Sequence, residues 1–101
     1  MKLNKFVSLN EVALVNADKK SFGKDETIRA LRECKMVEYD AVNMYTQVAQ
    51  ATKIPFVKKV ILDIANDERK HAGEFADLLA RLGEKDDEFD AEGRTESKRN
   101  M

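Results

Sequence analysis

ILDIANDERKHAGEFADLL, residues 61–79, sets an acid and an imidazole inside an apolar helical stripe, and the reading of the fold starts from that placement. At about 100° per residue, Ile61, Ile64, His71, Phe75, Leu78, Leu79 and Leu82 all fall within roughly 80° of Glu68. The stretch is predicted to be helical, with Glu68 and His71 facing the same way as the side chains that must leave water. Its limits follow from punctuation. Pro55, the only proline, suits the first turn of a helix, and Gly83 suits the position just past a helix end.

Upstream, DETIRALRECKMVEYDAVNMYTQVAQAT (residues 25–52) contains neither Gly nor Pro and opens on acids, with Asp25 as the expected N-cap. It is predicted to be helical to about Ala51. On a wheel centred on Glu38, the residues Ile28, Leu31, Cys34, Ala41, Val42, Tyr45 and Ala49 share one face. Two helices of similar length joined through Thr52, Lys53 and Ile54 make an antiparallel hairpin over residues 25–83, so the fold class is all-α. Glu38 lies fourteen residues before Thr52 and Glu68 thirteen after Pro55. At about 1.5 Å per residue each is roughly 20 Å from the turn, and the two come level.

The ends of the chain read differently. Residues 1–24 are mixed, with an apolar patch at Phe6 to Val15 and a break at Ser21-Phe22-Gly23, and are expected to form an N-terminal arm carrying a helical turn or short strand. Residues 84–101 hold 11 charged side chains among 18 and are expected to be a solvated, disordered tail.

Composition narrows the function classes. In 101 residues, 18 basic and 19 acidic side chains give a formal charge of −1, so no overall field draws in nucleic acid or an anionic membrane, and neither partner is expected. No run of about 18 apolar residues is present to span a bilayer. The opening MKLNKFVSLNEVALV is too broken by Asn and Glu for a signal-peptide core, and the one cysteine, Cys34, has no internal partner for a disulfide. A cytoplasmic location is expected.

Two carboxylates facing a core need compensation, because burying an unpaired charge costs several kcal/mol, comparable with the stability of a small domain. The stripe holds no arginine, and Lys35 can reach its edge, so a bound metal is the economical explanation. Di-metal four-helix sites take one Glu from each of two helices and a Glu-x-x-His from each of the other two. This chain has half of that set. A two-fold dimer of hairpins would supply Glu38, Glu68 and His71 twice, and its four carboxylates would balance two divalent ions. The same dimer would cover an apolar stripe that a lone hairpin cannot bury.

These residues resemble the ferritin-like superfamily in its rubrerythrin branch, and especially the short two-helix ferritins carried as cargo by encapsulin shells. The resemblance covers about residues 25–83. It rests on a first-helix glutamate, Glu38, followed seven residues later by Tyr45 and thirty later by the Glu68-x-x-His71 motif. It implies a ferritin-like four-helix bundle formed by dimerisation, a di-iron ferroxidase shared across the interface with Glu38, Glu68 and His71 as ligands, Tyr45 near the site, and an encapsulin shell as partner and compartment. Val37 and Met44 stand where those ferritins carry a further acid and an aromatic. Asp40 is the one comparable acid kept. The charged tail, with Phe89 its single aromatic, also differs from the apolar peptide that ends such cargo.

An acid and a histidine three apart are common on exposed helical faces; the stripe and a level Glu38 are what set this pair apart. Tyr45 is as much a core aromatic as a partner for a ligand carboxylate. Cys34 reads as a small buried hydrophobe, and Asp40, Asp67 and Glu74 as solvated acids. Carboxylates with imidazole suit iron, with manganese as the alternative, while the lack of a thiolate cluster argues against structural zinc. The function expected is Fe(II) oxidation by O2 or peroxide, in iron storage or detoxification. Two other readings stand beside it: a rubrerythrin-like peroxidase, without the paired CxxC motifs of a rubredoxin domain, and a non-catalytic helical-hairpin module for oligomerisation.

Overall fold

The structure, a computed structural model, describes residues 21–100. It has three helices: α1 (Lys24–Ala51), α2 (Pro55–Arg81) and α3 (Asp86–Arg99). The fold is all-α, and no described residue lies in a strand. None of these helices is long and apolar enough to cross a membrane. The readings made for the N-terminal arm fall mostly on residues 1–20, outside the described residues.

Local chemistry sets each boundary. The N-cap of α1 is Gly23, two residues before the expected Asp25. Glu26 reaches back to accept from the Gly23 N–H at 3.4 Å, and Thr27 Oγ1 donates to the Gly23 carbonyl at 2.9 Å. Asp25 instead stands in the first turn, where the helix dipole favours an acid. At the other end Thr52 turns extended, and its hydroxyl accepts from the Ile54 N–H at 3.2 Å. Ile54 is extended too, as the residue before a proline prefers, and Pro55 opens α2.

The end of α2 is closed by two crossed hydrogen bonds, Glu84 N–H to Leu79 O and Gly83 N–H to Ala80 O, with Gly83 at φ 90°. That pairing defines a Schellman turn, and its left-handed residue is the one a glycine adopts without strain.

The hairpin core is thin. Ile28, Ala41, Val42 and Ala49 of α1 are buried with Ala65, Ala72 and Leu79 of α2. Alanines at the contact let the helix axes approach closely, and Leu79 is the one large side chain fully buried among the described residues. The contact is off-centre relative to the expected stripe. On the α2 wheel Ala65, Ala72 and Leu79 lie to one side of Glu68 and pack on α1, whereas His71 and Leu78 lie to the other and are exposed. A flank of the stripe therefore faces outward.

The tail departs from expectation. Residues 86–99 form a helix, although it buries none of its side chains. Three features offset the missing core: acids Asp86, Asp87 and Glu88 in the first turn, Lys98 and Arg99 in the last, and an Asp90–Arg94 pair at i, i+4 with a 3.2 Å contact.

Candidate metal centre

Glu38 comes from the middle of α1 and Glu68 and His71 from the middle of α2, brought level by the short Thr52–Ile54 connection. Each residue offers one ligand atom, and the three atoms lie within 4.8 Å of one another. His71 Nδ1 stands 3.5 Å from Glu68 Oε2 and 3.7 Å from Glu38 Oε1. Both distances exceed those of an ordinary N–H···O hydrogen bond, so the imidazole is near both carboxylates and bonded to neither. The carboxylates are well shielded, with side chains 16% and 20% exposed, whereas His71 is 50% exposed.

The electrostatics follow from that shielding. Burial, the proximity of Glu68 and the Glu68 charge together push Glu38 up to about 7, against a smaller opposing influence from His71. Two carboxylates and a nitrogen donor that leave each other unsatisfied form a set that a divalent cation fits. Arg32, a basic side chain of α1, is committed elsewhere, held by Glu84 and Asp86.

Other sequence candidates are placed less closely. Tyr45 is half-buried two turns along α1 from Glu38, and its hydroxyl has no hydrogen bond to Glu38, Glu68 or His71. Cys34 is half-buried, its thiol pushed up by burial and by the charges of Glu33 and Glu38, which makes it a poor thiolate donor. Asp40 and Glu74 are exposed, and Asp67 lies 3.9 Å from Lys70.

A family model described as Rubrerythrin matches residues 30–100, a span that takes in Glu38, Tyr45, Glu68 and His71. The chain belongs to the rubrerythrin family. Its relatives include the ferritin-like-encapsulin shell fusion protein of Pyrococcus furiosus, 41% identical over 69 residues. That match covers 68% of this chain and 20% of the relative, so this rubrerythrin-family chain spans about one fifth of the fusion protein's length. No solved structure gives a significant match. Membership places the chain in a family of ferritin-like fold whose members typically bind iron.

The sequence left the Arg32 cluster unread. Arg32 meets Glu84 and Asp86 from 52 and 54 positions away, a separation that neither helical periodicity nor any local motif reports.

Proposed function

We propose that the chain is a ferroxidase-type di-iron oxidoreductase whose site is shared between two copies of the hairpin. The observation that carries this reading is the incomplete donor set: Glu38, Glu68 and His71 converge within 4.8 Å, yet supply half the ligands of a di-metal bundle. A two-fold partner would present the same three residues and cover the outward flank that bears His71 and Leu78.

In this reading Glu38 and Glu68 supply oxygen donors and His71 a nitrogen donor to Fe(II). Iron is the substrate, and two adjacent Fe(II) ions give one electron each, so that O2 becomes peroxide or peroxide becomes water with the uptake of two protons. Glu38 has the further task of releasing its proton as a cation arrives, which the shared site requires because four carboxylates neutralise two divalent ions. Manganese suits the same donors. Tyr45, half-buried two turns along α1 from Glu38, is assigned a place beside the completed site rather than a ligand role.

Anaerobic Fe(II) titration of metal-stripped protein, followed by native mass spectrometry, tests the assignment. Two irons for every two chains, lost in Glu68→Ala together with Fe(II) oxidation, is the expected result. Dimers that take up no iron, or a Glu68→Ala variant that oxidises Fe(II) at the native rate, would refute it.

Membership of the rubrerythrin family favours a second reading, a peroxidase that prefers peroxide to O2 and draws electrons from another protein. Stopped-flow oxidation with each oxidant separates the two. The relative's name supports an encapsulin shell as partner; the same reading puts that shell in the cytoplasm as the compartment where oxidised iron is stored or detoxified. Co-purification with a co-expressed shell tests that association.

A further inference from the structure

Beyond the metal centre, the strongest unexplained contact is the one that holds α3. Arg32 Nε donates to Asp86 Oδ2 at 3.1 Å and Nη2 to Asp86 Oδ1 at 3.0 Å, a two-pronged pairing of guanidinium and carboxylate, and the same Nη2 meets the Glu84 carboxylate. Glu84 lies in the turn after α2, and Asp86 is the first residue of α3. One side chain of α1 thus grips the turn and the start of α3.

Little else keeps α3 in place. It buries no residue, and its single aromatic, Phe89, is 67% exposed. Its remaining polar side-chain contacts are internal: Arg94 with Asp90, and Thr95 with the Ala91 carbonyl. Among the described residues, no other side-chain hydrogen bond or ion pair joins α3 or its turn to α1 or α2. The turn itself contains Gly83, at φ 90°.

We infer that α3 is a releasable strap, fastened to the hairpin by the Arg32 fork on Asp86 and Glu84 and free to swing about Gly83 when that fork opens. The contact is a cluster of three partly exposed charges, so salt weakens it. A 14-residue helix with no packed face is marginal by itself in water, so release also frays it. The device couples the direction in which the chain leaves the hairpin to one arginine on α1. It is independent of Glu38, Glu68 and His71, and stands whether or not they bind iron.

Peptide-resolved hydrogen exchange on the full chain tests the strap. Arg32→Gln is expected to speed exchange across residues 86–99 by about fivefold, with residues 55–81 unchanged, and about 1 M salt to do the same to the native protein. Asp86→Asn is expected to speed exchange in the native background but to add little once Arg32 is replaced, because both act through one contact. Native protection of residues 86–99 in Arg32→Gln, or effects of the two substitutions that simply add, would overturn the proposal. So would equal acceleration over 24–81, which would make Arg32 a support of the hairpin instead.

Discussion

Glu38 and Glu68, thirty residues apart in the chain, hold carboxylate oxygens within 4.8 Å of each other on facing helices, and among the described residues His71 is the one basic side chain paired with either. In the absence of metal this is a repulsive arrangement that a cation relieves. Glu38→Gln removes one of the two like charges while keeping the shape. The metal-free variant should melt at or above the native temperature at pH 7.5, while metal affinity falls by more than about tenfold. Thermal melts and calorimetric titration with a divalent ion measure the two effects, and a less stable metal-free variant would argue against the repulsion.

The pH dependence has a definite sign. Glu38 is raised from 4.5 to about 7, so the folded chain binds more protons than the unfolded chain between those values. Its contribution to metal-free stability is therefore greatest at or below the ordinary glutamate range and is lost as pH rises towards 7. Metal affinity should run the other way and increase with pH across the same window, because the ion displaces the Glu38 proton. Melting curves from pH 5 to 8, with and without metal, should show these opposite slopes, and Glu38→Gln should flatten both.

The outward flank of α2 predicts an assembly phenotype. Leu78 is exposed beside His71 on the side that a second hairpin would cover. Leu78→Asp should leave helix content intact and shift the protein towards monomer, with iron bound per chain falling in parallel. Light scattering on a sizing column, with metal analysis of each fraction, reads both. Unchanged assembly would move the interface elsewhere.

Leu79 carries an unusual share of a thin core, as the one large side chain fully buried among the described residues. Leu79→Ala should cost about 2–5 kcal/mol, because the facing alanines have little reach with which to refill the space. Chemical denaturation gives the value, and a loss below about 1 kcal/mol would show that the core closes around the cavity.

Two glycines should respond in opposite directions. Gly73 sits within α2, where an added Cβ meets nothing within 4 Å, so Gly73→Ala should stabilise by about 0.5–1 kcal/mol. Gly83 holds φ 90° in the turn, so Gly83→Ala should destabilise by about 1–2 kcal/mol despite equally open space. Paired denaturation curves test both signs.

The end of α1 and both limits of α2 were legible in the sequence because they depend on local chemistry: Pro55 at a helix start, Gly83 in a left-handed turn, and no breaker up to residue 51, whereas the start of α1 lies two residues before the one expected. The convergence of Glu38, Glu68 and His71 was legible for a related reason. Helical periodicity and a three-residue connection between similar helices fix which positions come level, and the structure has those three side chains together. Tertiary structure decided what periodicity leaves open. An apolar stripe wider than one helix contact can pack on either flank, and the small side chains of Ala65 and Ala72 drew α1 to their side, leaving His71 and Leu78 facing out. The last fourteen helical residues were beyond sequence reading because composition alone points to solvation. What orders α3 is its own end charges together with an arginine more than fifty positions away, an interaction that exists only once the hairpin has brought Arg32 beside Asp86.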